Sequence, residues 1–169
     1  MSYRGTVSFR REAFGLNQNP GDYLVVERGW PLLLVMRCPC GCGDDLLINL
    51  DKRAGPAWRF YQRQSGSTLY PSYWRTSACR SHFILWNDKI YWCSHTDQED
   101  ESYREIDRGV EQNILHALTN DYIHYIDLAD KCGLTPWEAL QACRQLEQKG
   151  LCGSGTKDLK GYFKQNKLT

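Results

Sequence analysis

The stretch Arg37-Cys38-Pro39-Cys40-Gly41-Cys42-Gly43 decides how the first hundred residues are read. Three cysteines fall within five residues, separated by Pro and Gly. That composition suits neither a helix nor a strand interior; it suits a tight knuckle whose sulfurs converge. Apolar runs flank it, Pro31 to Arg37 before and Asp45 to Leu50 after. A knuckle between two strands rests on a rigid base. Two later segments carry matching ligand types, Cys79-Arg80-Ser81-His82 and Cys93-Ser94-His95. Together they predict a structural zinc site that joins three separated pieces of chain.

Outward from the knuckle, strand signals recur. Asp22 to Glu27 is a β-rich run, with Gly29-Trp30-Pro31 as the turn into the next. Residues 1–20 read as a peripheral strand and a loop. Trp58 to Tyr61 reads as extended, Ser65 to Ser67 as a loop. Thr68 to Trp74 is extended again, because the residue before Pro71 avoids the helical region. Ser81 to Trp86 and Lys89 to Ser94 are β-rich runs around Asn87-Asp88, the signal of a two-residue hairpin loop. That turn pairs Trp86 with Lys89 and therefore sets His82 opposite Cys93, a Cβ separation of about 5 Å.

The ligand candidates are Cys38, Cys40, Cys42, Cys79, His82 and Cys93, with His95 ranked below them near a fraying strand end. The favoured set is His82 and Cys93 with two of the three knuckle cysteines, and Cys79 is the leading substitute. Two ions would need eight ligands or a bridging thiolate. The competing reading is a set of buried small apolar thiols. It is disfavoured because scattered core cysteines would not gather around Pro and Gly. A spare thiol beside zinc would be a nucleophile of lowered pKa or, more simply, a supporting sulfur.

Composition narrows the setting. The 169 residues are 41% hydrophobic and 24% charged, with a formal net charge of +1. This is a soluble globular balance without the basic footprint of a nucleic-acid or anionic-membrane binder. The opening residues lack the apolar core of a secretory signal, and Pro31 to Met36 is too short an apolar run to span a bilayer. The expectation is a cytoplasmic protein with no membrane partner, where clustered thiols bind metal rather than form disulfides.

After an acidic run at 96–103, read as a solvated linker, the periodicity becomes helical. Val110 to Leu118 predicts one helix and Asp121 to Thr135 a second. Thr135-Pro136-Trp137-Glu138 opens a third, with an N-cap, Pro at the first helical position and Glu three after the cap. It ends at Gly150. Leu151 to Phe163 follows as a small hairpin. Three helices and a hairpin over 105–169 resemble a winged helix-turn-helix. The fold class is α+β: a β-rich zinc-binding domain over 1–100 and a winged-helix-like domain over 101–169.

The first domain resembles a bacterial and phage family of unknown function. Its hallmarks are Cys-Pro-Cys-Gly-Cys-Gly at a strand end, a Pro-Ser-Ile-Trp-like segment, Cys-x-Ser-His-Phe, and a strand ending in Trp-Cys. Here they stand as Cys38 to Gly43, Pro71 to Trp74, Cys79 to Phe83 and Trp92-Cys93. The family is met in gene clusters for ubiquitin-like proteins and their activating, conjugating and deconjugating enzymes. The resemblance implies a zinc-dependent accessory or ligase-like adaptor of such a pathway, with its proteins as partners and antiphage defence as a setting. The alternative is a winged-helix DNA-binding regulator. That is disfavoured because residues 103–169 carry nine basic and nine acidic side chains. A weaker alternative is an enzyme using zinc-bound water or a free thiol. There is no Gly-rich phosphate loop, no His-Glu-x-x-His, no nucleophile elbow and no zinc-deaminase pattern.

Overall fold

The computed structural model describes residues 1–93 and 106–166. The acidic run at 96–103 and His95 lie outside the described residues. The architecture is α+β, and the chain divides into two compact units, Met1–Asp100 and Glu101–Thr169. No helix among the described residues is long and apolar enough to cross a membrane.

The first unit is built on a four-stranded sheet. Its strands are β1 (Ser2–Val7), β2 (Asp22–Glu27), β3 (Pro31–Arg37) and β4 (Asp45–Asn49), in that spatial order. β1 runs parallel to β2, and the other neighbours are antiparallel. The short helix α1 (Arg10–Ala13) follows β1. Period-two alternation divides the side chains between two faces. Leu24, Val26 and Val35 pack with Ala13 in one cluster. Tyr23, Leu34, Met36, Leu46 and Ile48 pack in the other, with Leu69, Phe83 and Leu85 from later strands. Cys38, just past the end of β3, is fully buried in this second cluster.

Those later strands form two small antiparallel sheets. β5 (Arg59–Arg63) pairs with β6 (Gly66–Tyr70), so Gly66 and Ser67 belong to a strand rather than to a loop. Gly66 is confined by packing: a Cβ there would meet the Asn87 backbone at 2.7 Å. β7 (Tyr73–Trp74), β8 (His82–Trp86) and β9 (Lys89–Trp92) make the other sheet. Asn87 and Asp88 both take positive φ, 49° and 57°, as the two-residue turn demands. Trp86 faces Lys89, and the Cys93 amide donates to the His82 carbonyl at 2.9 Å.

The second unit contains α2 (Arg108–Ala117), β10 (Ile123–His124), α3 (Tyr125–Cys132), α4 (Pro136–Gln148), β11 (Cys152–Ser154) and β12 (Tyr162–Gln165). The second helix starts later than its periodicity predicts, because Ile123 and His124 pair as a strand with Phe163 and Tyr162. The His124 ring then caps α3, its Nδ1 accepting from the Ile126 amide at 3.2 Å. α4 carries the expected reciprocal cap: Thr135 Oγ1 accepts from the Glu138 amide, and the Glu138 carboxylate accepts from the Thr135 amide. Trp137 is buried. Lys149 Nζ meets the nearly buried Glu111 Oε2 at 2.5 Å, tying the end of α4 to α2.

Candidate metal centre and serine–histidine pair

Two arrangements of reactive side chains lie in the first unit, on neighbouring residues of the same loop and strands. The first is a thiol cluster. The Sγ atoms of Cys38, Cys40, Cys42 and Cys79 all lie within 4.8 Å of one another, so these four residues can hold a metal ion. Cys38 Sγ is 3.3 Å from Cys40 Sγ and 3.7 Å from Cys79 Sγ. Four thiolates around zinc, at Zn–S distances of about 2.3 Å, would stand about 3.8 Å apart in a tetrahedron. The donor set therefore fits a closed four-thiolate site.

Backbone geometry aims these sulfurs. The Cys38 amide donates to Asp44 O at 2.8 Å and closes the knuckle, while Gly41 and Gly43 take φ of 84° inside it. Cys79 sits between Ala78 and Arg80, both at φ 54°. Left-handed backbone at two non-glycine residues costs energy and concentrates at functional positions. The Arg75 amide donates to Ser81 O at 2.9 Å and holds the ends of this loop together.

The electrostatics suit a cation. Burial pushes the Cys38 thiol up to about 12, whereas hydrogen bonding to Ser81 holds the Cys79 thiol down to about 6. Left without an ion, the cluster would be protonated unevenly; a divalent cation would draw all four to thiolates. Four thiolates and a divalent ion leave a net double negative charge. Arg75 is placed against it, with Nη1 3.6 Å from Cys79 Sγ and 3.9 Å from Cys42 Sγ, and paired with Asp44 at 2.8 Å.

Of the sequence candidates, the structure brings Cys38, Cys40, Cys42 and Cys79 together and leaves His82 and Cys93 outside the group. The reason is strand alternation. Ser81, at the entry to β8, turns toward the sulfurs, its Oγ 3.4 Å from Cys38 Sγ and 3.1 Å from Cys79 Sγ. His82, one residue on, points to the other face. Cys132, Cys143 and Cys152 belong to the helical unit and are not in the cluster.

The second arrangement is what His82 does instead. Its Nε2 lies 3.3 Å from Ser72 Oγ, within hydrogen-bonding distance. Ser72 precedes β7 and is half-buried, and its carbonyl accepts from Trp58 Nε1 at 3.4 Å. Trp74, which pairs with His82 across β7 and β8, stacks on the imidazole with centroids 5.7 Å apart and planes at 29°. A serine hydroxyl within hydrogen-bonding distance of a histidine ring nitrogen is one contact that an activated nucleophile needs. Sequence reasoning passed over Ser72, which lies in no elbow motif, although Pro71-Ser72 and Ser81-His82 each fall inside a quoted signature. The signal within reach was arithmetic: three knuckle cysteines and Cys79 are already four thiols, the number a tetrahedral metal site takes, and His82 is then left over.

Comparison with known proteins adds one finding. Residues 11–93 match a family described as bacterial ubiquitination-like system serine protease (BubE). The matched span contains all four clustered cysteines, Ser72 and His82, and stops before the helical unit. No curated protein and no solved structure gives a significant match.

Proposed function

We propose that this protein is a serine peptidase of a bacterial ubiquitin-like pathway, with Ser72 as nucleophile and His82 as its base, and with zinc at Cys38, Cys40, Cys42 and Cys79. The observation that carries the reading is the 3.3 Å approach of Ser72 Oγ and His82 Nε2, within a span that matches a family described as a serine protease. The chemistry is acyl transfer. His82 Nε2 takes the proton from Ser72 Oγ as the oxygen attacks the scissile carbonyl carbon. The C–N bond breaks as His82 returns that proton to the departing amine. Water, deprotonated by the same nitrogen, then attacks the acyl-serine, and Ser72 Oγ leaves carrying the proton. When bound, zinc supplies a cross-link between the knuckle and the Cys79 loop; four protein ligands leave no open position for substrate.

The ligase-like adaptor reading rests on the family resemblance and the cysteine cluster, and it gives no role to the Ser72–His82 contact. The natural substrates are ubiquitin-like proteins or their conjugates, and the setting is the cytoplasm. The test is covalent labelling with a fluorophosphonate, which serine nucleophiles attack. A single adduct is expected, located by mass spectrometry on Ser72 and lost in Ser72→Ala. Labelling that is absent, or that persists in Ser72→Ala, sinks the assignment.

For the helical unit, three helices and a sheet in the order β10-β12-β11 support the winged-helix reading. We assign it to protein contacts rather than DNA. In DNA-reading members of this architecture the third helix enters the major groove, with cations nearby for phosphates. Here α4 begins with buried Pro136 and Trp137, and Lys149 beyond its end is paired with Glu111. A gel shift at about 150 mM salt is expected to show no sub-micromolar duplex binding. Tight binding abolished by changing Lys157, Lys160, Lys164 and Lys167 would reverse this assignment.

A further inference from the structure

Trp74 carries more than its stacking on His82 requires. At 60% exposure it is the most exposed large hydrophobic side chain among the described residues, yet it covers a histidine placed at the nucleophile. Its backbone is equally placed. The Arg75 amide bonds to Ser81 O, and Tyr73 pairs with Phe83. An antiparallel ladder directs alternate residues' polar groups to opposite sides. The Trp74 amide and carbonyl therefore point away from β8, to the outer edge of the sheet. β7 is an edge strand in the order β7-β8-β9. Two residues earlier along the same edge, the Ser72 carbonyl is engaged by Trp58 Nε1, so among the described residues open pairing begins at Trp74.

We propose that the β7 edge is the substrate-docking site: an extended peptide segment adds beside Tyr73–Trp74 as a fourth strand, pairs with the Trp74 amide and carbonyl, and packs against the Trp74 indole. This rests on Ser72 being the nucleophile. Ser72 and Trp74 are two residues apart, so their side chains share a face and lie about 7 Å apart along the strand. A peptide paired with Trp74 therefore leaves the edge before the Trp58 indole, which holds the Ser72 carbonyl, and its next carbonyls fall about two residues on, within reach of Ser72 Oγ on the face that the two side chains share. Strand addition takes affinity from main-chain hydrogen bonds and selectivity from side-chain contacts. The side-chain contact that β7 offers is the exposed Trp74 indole, which gains by burial. A two-residue edge strand cannot grip a folded surface. The substrate class is therefore a flexible, extended tail or linker, cleaved within a few residues of the Trp74 contact.

Two diphenyl phosphonates test this without a known substrate. Both carry the same glycine-derived warhead, whose phenoxide Ser72 Oγ displaces. One bears only an acetyl group and the other an acetylated tri-alanyl arm. The readout is the ratio of their labelling rates, which cancels changes in the reactivity of Ser72 itself. Wild-type protein is expected to react about tenfold or more faster with the arm, the yield of two or so backbone hydrogen bonds at about fivefold each. Methylating the arm nitrogens one at a time should remove about fivefold at one position only. Trp74→Ala should lower the ratio. Trp74→Pro should lower it further, because proline also deletes the outward amide, and an edge strand tolerates that loss. A wild-type ratio near one would overturn strand docking, as would a ratio indifferent to methylation and equal in the two variants. If neither phosphonate labels wild-type protein, the nucleophile assignment falls first and the docking proposal with it.

Discussion

Replacing Ser72 with Ala is expected to lower kcat by about four orders of magnitude or more, with KM nearly unchanged. His82→Ala should cost about as much, and the double variant little more than either alone. That non-additivity is the signature of two groups acting as one machine: without the base the hydroxyl is a weak nucleophile, and without the hydroxyl the base has nothing to activate. The expectation follows from the 3.3 Å contact between Ser72 Oγ and His82 Nε2. Steady-state hydrolysis of a ubiquitin-like precursor by the three variants measures it. Zinc content must be determined alongside, because His82 lies outside the four-sulfur group and its loss should leave the metal in place. A fall in activity that tracks lost zinc would reassign His82 to the metal. Independent, multiplicative losses would dissolve the pair.

The two halves of this site differed in how far the sequence revealed them. The knuckle was legible because Cys-Pro-Cys-Gly-Cys-Gly has few physical uses: Gly41 and Gly43 supply φ near 84°, and the sulfurs have nowhere else to converge. The β8–β9 register was legible because Asn87-Asp88 admits a two-residue turn, and that turn fixes every pairing beyond it. The same register misdirected the ligand choice. Opposite residues share a face, so His82 and Cys93 looked like one metal's ligands. Which face meets the knuckle depends on how the hairpin packs over β3, and pairing cannot supply that. Phe83 and Leu85 turn inward to the cluster containing Cys38, which carries Ser81 with them and leaves His82 outside. Ser72 was illegible for another reason. A serine before a two-residue strand has no local mark of nucleophilicity, and only the long-range contact across ten residues creates one. In the helical unit, the Thr135 cap was read directly from sequence. The strand at Ile123–His124 was hidden because two residues are too few to show a period.

Substituting Cys38, Cys40, Cys42 or Cys79 with Ala is expected to release zinc and abolish cooperative unfolding of the first unit. Cys93→Ala should keep a full equivalent. The magnitude follows from where the sulfurs sit. Cys38 is fully buried in the cluster formed by Tyr23, Leu34, Met36, Leu46 and Phe83, and Cys79 packs against its margin. The metal site is thus continuous with the core. A structural zinc contributes about 10–16 kcal/mol to folding in small metal-dependent domains, against a total stability of about 5–15 kcal/mol for an ordinary domain. A loss of that size is comparable to the whole stability of an ordinary domain. What remains would be three converging thiols without their cation, beside an Arg75 and Asp44 pair deprived of the charge it faces. The helical unit has its own core of Ile114, Leu128, Leu140, Leu146 and Phe163, so its unfolding transition should survive in every variant. Metal analysis with calorimetry separates the cases. One zinc per chain in wild type and in Cys93→Ala, with none in the four cluster variants, is the expected pattern. Zinc retained in Cys40→Ala or Cys42→Ala but lost in Cys93→Ala would instead restore the hairpin-centred ligand set. It would also require His82 to leave Ser72, and the peptidase assignment would go with it.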